Sequence, residues 1–153
     1  MGEQGDGASQ YLDYMLAIAS DRIGRQLRKA MDKRGVSIEY WRILSFLQSG
    51  VGRSMGELAE VSLLSLPTAT RVVDRMVSDA LVYRMPDPHD RRKVVIFVSD
   101  AGLAMWTELK QAVDSYQASV SDRFGDAWMR ELIARLDRLV EPAGEADGGA
   151  ARD

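Results

Sequence analysis

The sequence predicts a mainly α-helical fold of six helices with one small β-hairpin. Three observations carry this reading. Apolar residues return at three- and four-residue steps along most of the 153 residues, the spacing of one helix face. Only two short runs, 81–85 and 93–98, are dominated by Val, Ile, Phe, Tyr and Leu, the composition of strands. Between these segments stand residues that start or stop helices: Gly35, Ser54, Pro67, Ser99 and Gly125.

Each element follows in order. Residues 10–33 form the first helix, with Leu12, Met15, Leu16, Ala19, Ile23, Leu27 and Ala30 on one face and Gly35 ending it. The second covers about 37–48; Ser37 caps it, and Ile38, Trp41, Ile43 and Leu44 face inward. A short third helix starts after Ser54, with Glu57 three residues on. That is the capping-box spacing, in which each side chain satisfies a backbone N–H of the other residue. Leu58, Ala59 and Val61 form its buried face, and the chain breaks at 62–65. The fourth helix covers 66–78, with Pro67 in its first turn, where its missing N–H costs nothing. Val72, Val73, Met76 and Val77 pack inward. The two strands then flank a loop at 86–92. Ser99 caps a fifth helix over 100–124, Gly125 interrupts, and a sixth covers 126–140. The fifth carries Leu103, Trp106, Leu109, Val113 and Tyr116; the sixth carries Trp128, Leu132, Ile133, Leu136 and Leu139. The ends, 1–9 and 141–153, are Gly-, Ala- and acid-rich and read as disordered tails around a single domain over 10–140.

Composition narrows the function. With 46% hydrophobic and 28% charged residues the chain reads as an ordinary globular protein. There is no apolar run of the ~18 residues a membrane span needs and no signal-peptide layout, so the expected compartment is the cytoplasm. No cysteine means no disulfide, thiol nucleophile or thiol redox switch. The single histidine, His89, leaves no zinc spacing and no ready triad. The expectation is therefore no catalytic residue, no metal and no cofactor. The net charge of −3 also argues against indiscriminate nucleic-acid binding, so any such role rests on local charge.

Local charge is what the middle of the chain supplies. A short helix, a turn, a second helix and a hairpin form the layout of a winged helix-turn-helix, whose second helix enters the DNA major groove. Ser65, Thr68 and Thr70 are short hydroxyl residues near the start of that helix, and Arg71 lies one turn beyond Pro67 and Thr68. An arginine there can pair with a guanine edge or clamp a phosphate, and the helix N-terminus adds backbone N–H groups for another phosphate. The plainer alternative pairs Arg71 and Arg75 with Asp74 or Asp79 on the surface. The hairpin tip tips the balance: Arg91 and Arg92 repel each other there and gain no burial, whereas a minor groove offers matching negative potential. Asp90 beside them reads as a brace that aims one arginine, and His89 as an exposed loop residue, at most a phosphate contact. The competing reading of the tip is a solvated turn.

The run LAEVSLLSLPTATRVVDRMVSDALVYRMPDPHDRRKVVIFVSDAG resembles the MarR family of bacterial transcriptional regulators. The matching pieces are LAE, TATRVVDRM, DPHDRRKV and SDAG, and the helix order agrees over about 10–140. The resemblance implies a minor-groove role for Arg92 with Asp90 as its brace. It also implies a recognition surface of Ser65, Pro67, Thr68, Thr70 and Arg71, flanked by Arg75 and Arg91. It implies a DNA-binding lobe over about 37–99 and a homodimer through helices at about 10–34 and 100–140. The DNA would then be a pseudo-palindromic double-stranded operator. Regulators of this kind commonly bind small aromatic or phenolic ligands, for which Tyr14 and Trp41 are candidates, although core packing is the plainer role for Trp41. A repressor released by such a ligand is the leading functional reading; a winged-helix module that binds an acidic protein is the alternative. Two departures bear on geometry. Leu63 stands where many members have glycine, and Asp79-Ala80 replaces a common charged residue and glycine, so either Ala80 turns left-handed or the turn differs.

Overall fold

Eight elements form, in a computed structural model that describes residues 11–33, 35–88 and 90–140. They are α1 (Leu12–Asp32), α2 (Ile38–Leu47), α3 (Met55–Ser62), α4 (Leu66–Ser78), β1 (Val82–Pro86), β2 (Val94–Val98), α5 (Asp100–Phe124) and α6 (Asp126–Val140). The limits expected for the last three helices, 66–78, 100–124 and 126–140, are those observed; α1 and α2 are one or two residues shorter at each end than expected. The tails and His89, for which disorder and an exposed loop position were expected, lie outside the described residues. No described helix is long and apolar enough to cross a membrane. The chain divides into two compact units, one up to Asp114 and one from Ser115, so the boundary falls inside α5.

The first unit owns the core. Met31 of α1, Ile43, Leu44 and Leu47 of α2, Leu58 of α3, Val73 and Met76 of α4, and Ile96 of β2 are buried together with Leu109. Ile43, Leu44, Leu58, Val73, Met76 and Leu109 are among the inward positions that the three- and four-residue spacing selects. Trp41 is partly buried and stacks parallel on Trp106 at 6.4 Å; the Trp106 indole N–H donates to Ser45 Oγ at 3.2 Å. Most of the α1 stripe is not covered: Leu12, Met15 and Ile23 are exposed, whereas Leu16, Leu27 and Ala30 are half-buried.

Caps define the turn between the two helices of the central motif. Ser54 Oγ accepts the Glu57 N–H at 3.3 Å, and the Glu57 carboxylate accepts the Ser54 N–H at 2.8 Å. The expected capping box is therefore present. At the other end Leu63 adopts a left-handed conformation, φ +59°, in place of a glycine. Its N–H donates to the Glu60 carbonyl, and the Leu64 N–H donates to that of Ala59, the paired bonds that close a helix C-terminus. Leu63 is 76% exposed, so its side chain contributes little there. The same device ends α4: Ala80 stands at φ +57°, its N–H donates to Val77, and the Leu81 N–H donates to Met76.

The two strands pair antiparallel from Val82 opposite Val98 to Pro86 opposite Val94. An isolated bridge between Arg53 and Ile96, with two backbone hydrogen bonds, adds a short third edge ahead of α3. Ser99 Oγ accepts the Gly102 N–H at 3.0 Å and donates to the Ala80 carbonyl at 2.6 Å, so one hydroxyl caps α5 and ties it to the end of α4. In the second unit, Gly125 takes φ +92° between the helices, and Phe124 stacks on Trp128 at 4.8 Å. No residue of α6 is buried; Trp128, Leu132, Ile133 and Leu139, expected as its apolar face, are exposed in the single chain.

Candidate nucleic-acid interface

The helix α4 divides cleanly by chemistry. Ala69, Val73 and Met76 are buried, whereas Ser65, Leu66, Pro67, Thr68, Arg71, Asp74 and Arg75 are exposed. Ser65 is the N-cap residue, but its hydroxyl bonds Thr68 Oγ1 at 2.9 Å rather than a backbone N–H. The first-turn N–H groups of α4 thus keep their capacity for an anion. Thr70 is half-buried and its O–H donates to the Leu66 carbonyl at 2.8 Å, so that proton is already committed and only its lone pairs and methyl remain to meet a partner.

The carboxylates that might neutralise the helix arginines are engaged elsewhere. Asp74 accepts from Arg84 of β1 at 2.5 Å. Asp79 accepts the Tyr40 O–H at 3.1 Å. Burial pushes the Tyr40 phenol up to about 12; the hydrogen bond to Asp79 and its charge add to the rise, and Arg75 opposes it. Arg84 and Tyr40 therefore engage the carboxylates of α4 and of its C-cap, and neither was anticipated from the sequence. The signal available was an arginine in an otherwise apolar strand.

The wing tip is built by its backbone. The Asp87 N–H donates to the Lys93 carbonyl and the Lys93 N–H to the Asp90 carbonyl, both at 2.8 Å. Asp90 Oδ1 accepts the backbone N–H of Arg92 at 3.1 Å and lies 3.8 Å from its Nε. Asp90 thus grips the main chain of the turn more closely than the guanidinium it was expected to brace. Arg92 extends outward with its side chain 96% exposed, and Arg91 is exposed beside it. Farther down, Tyr83 stacks on Phe97 at 5.7 Å across the strands.

A cleft of about 640 Å³ opens beside α4. Its polar lining includes Ser37, Tyr40, Thr68, Arg71, Arg75 and Asp79, and its apolar lining Val36, Val72, Leu81 and Met105. Neither Tyr14, which is exposed on α1, nor Trp41 lines it. Among the described residues no cluster of His, Asp or Glu could hold a metal ion.

The MarR family profile matches residues 34–93, from the end of α1 to the wing tip. An uncharacterised HTH-type transcriptional regulator of Mycobacterium bovis is 30% identical over 123 residues, which cover 80% of this chain and 78% of the relative. The chain belongs to the MarR family of transcriptional regulators. Within that family, the HTH-type transcriptional repressor IacR of Pseudomonas putida is 29% identical over 131 residues, 84% of this chain and 74% of IacR. Among solved structures, the transcriptional repressor CouR bound to a 23-mer DNA duplex superimposes with a TM-score of 0.79. It is 21% identical and covers 92% of this chain and all of the CouR chain. The MarR fold thus accounts for the six helices and the two-stranded wing.

Proposed function

We propose that this MarR-family regulator is a repressor that grips a pseudo-palindromic operator as a homodimer and is released by a small ligand. One observation carries the DNA reading. An arginine 96% exposed stands on a turn locked by Asp90, on the hairpin that follows a helix presenting Ser65, Pro67, Thr68, Thr70 and Arg71. Such a pair of elements reads one groove with the helix and the adjoining groove with the wing. Arg75, Asp90 and Arg91 complete the candidate surface, and the lobe that carries it covers about 37–99. IacR and CouR, both named as repressors, support the sign of regulation.

Dimerisation supplies what the single chain lacks. The α1 face leaves Tyr11, Leu12 and Met15 exposed, and α6 leaves Trp128, Ile133 and Leu139 exposed. Apolar area on this scale marks an interface, and a second copy of the helices at about 10–34 and 100–140 is the partner proposed. For the ligand, the cleft beside α4 offers an apolar wall opposite two arginines and a phenol. A small aromatic or phenolic acid suits that mixture. Its work is binding in the cytoplasm, without a catalytic step.

Arg92→Ala tests the reading. The variant is expected to fold as the wild type and to bind the operator recovered by genomic selection about 1–3 kcal/mol more weakly. A gel-shift titration with unchanged affinity would remove the wing from the interface. Failure of the wild type to bind any genomic fragment at low ionic strength would leave the protein-interaction alternative.

A further inference from the structure

The C-terminal half of α1 carries charge that neither the recognition helix nor the wing accounts for. Between positions 22 and 33 the chain places Arg22, Arg25, Arg28, Lys29 and Lys33 against a single carboxylate, Asp32, in a protein whose net charge is −3. All five cations are exposed. Several pairs sit three or four apart: Arg22 with Arg25, Arg25 with Arg28 and Lys29, and Lys29 with Lys33. Like charges at that spacing face each other on a helix and destabilise it. The helix dipole favours cations only in the last turn, which covers Lys29 but not Arg22 or Arg25. Asp21 pairs with Arg25 at 2.7 Å and lies 3.7 Å from Arg28, one carboxylate for two guanidinium groups.

Position supplies the second observation. Arg25, Arg28, Lys29 and Lys33 line an open groove together with Asp32. Asp32 also lines the cleft beside Thr68, Arg71 and Arg75 of α4. The two concavities therefore adjoin, and the cationic face of α1 continues toward the helix proposed to read the operator. All of these residues belong to the first unit.

We propose that this face of α1 binds the phosphate backbone of duplex DNA beyond the bases reached by α4, and so extends the footprint on the operator without adding sequence information. The inference rests on the DNA-binding reading above. Phosphate pairing of this kind releases counterions and steepens the salt dependence of binding. It positions the protein and leaves base preference to other residues.

The test is the triple variant Arg28→Gln, Lys29→Gln, Lys33→Gln, with Arg130→Gln, Arg135→Gln, Arg138→Gln on α6 as the charge-matched control. The plot of log K against log salt is expected to become shallower by about 0.9 for each phosphate that α1 no longer neutralises. Backbone protection at the flanks of the hydroxyl-radical footprint should shrink, while the selected sequence motif stays the same. The α1 variant should melt no lower than wild type, because repulsive pairs have been removed. A slope and footprint like those of wild type, or an equal change in the α6 control, would overturn the proposal. If the wild type binds no duplex, the parent reading fails first, and that result is distinct from a wild type that binds and an α1 variant that matches it.

Discussion

Ala80→Gly probes the joint between the recognition helix and the wing. Ala80 sits at φ +57°, where its Cβ crowds the following carbonyl. That conformation costs an L-residue about 1–2 kcal/mol. Glycine removes the cost but gains freedom in the unfolded chain, which returns about 0.4–1 kcal/mol. The Ala80 methyl is exposed, so no burial is lost. The bonds that hold the joint use main-chain atoms of residue 80 and survive the change: its N–H to Val77 at 3.0 Å, and its carbonyl from Ser99 Oγ at 2.6 Å. The balance is a stabilisation of about 0.5–1 kcal/mol. Urea unfolding followed by circular dichroism reads it as a higher midpoint at unchanged m, with operator affinity unaltered. A lower midpoint would mean that Ala80 is not strained, and the left-handed closure of α4 would have to be abandoned.

The reverse substitution at a neighbouring site has the opposite sign. In Gly102→Ala the new Cβ would overlap the Leu81 carbonyl oxygen and stand 2.8 Å from Val98 Cγ2, so α5 must move and stability should fall by about 3 kcal/mol or more in the same urea assay. Glu57→Gln weakens the capping box, with an expected loss of about 1 kcal/mol at neutral pH. The Ser54 N–H and hydroxyl hold the Glu57 carboxyl below its ordinary range, so its contribution is present above that range and disappears as pH falls through the lowered value. Wild type and variant should therefore converge on the acid side of the ordinary glutamate range in matched denaturation curves. For Tyr40, raised to about 12, the folded state favours the neutral phenol; that stabilisation is present below pH ~10 and fades as pH rises toward the folded value. Phenolate absorbance should show Asp79→Asn lowering the Tyr40 midpoint without bringing it to the ordinary value, because burial is the larger cause. An unshifted midpoint would deny the hydrogen bond any part in it.

What was legible in the chain was whatever depends on near neighbours. The inward faces of α2, α3 and α4, the Ser54–Glu57 box, Pro67 in the first turn of α4 and the Ser99 cap are all decided within four residues, and each is observed. Pairings between distant residues were not. Tyr40 and Asp79 are 39 positions apart, and Trp106 and Ser45 are 61 apart; no periodicity links them. The Arg53–Ile96 bridge has no strand-like run around Arg53 to announce it. Gly102 looked like one letter of a family motif, yet its reason is a carbonyl one hairpin away. The cleft was illegible for the same cause: its lining comes from α2, α4, α5 and the ends of α1 and α4. The aromatic candidates chosen from sequence, Tyr14 and Trp41, consequently lie elsewhere. Apolar spacing also cannot say whether a stripe meets its own core or another copy; for α1 and α6 it was the family resemblance that pointed to a second copy.

The division of labour in the wing follows from how weak exposed ion pairs are. The Arg92–Asp90 pair, at 3.8 Å with the guanidinium almost wholly in solvent, is screened and entropically costly, so it cannot by itself aim a side chain. A hydrogen bond from the Arg92 N–H to the Asp90 carboxylate acts instead on the main chain, where fixing φ and ψ sets the direction in which Cβ leaves the turn. Arg92 then keeps its rotamer freedom in solvent, and its origin is already placed. At the root of the hairpin the demand is different, because the strands must hold a set distance from α4. There the side-chain bonds are shorter, Arg84 to Asp74 at 2.5 Å and Ser99 to Ala80 at 2.6 Å, and the Leu81 N–H to Met76 at 2.9 Å joins them. A fixed root with a solvated, backbone-aimed tip suits the proposed role of Arg92, in which one arginine would follow a groove whose width varies with sequence.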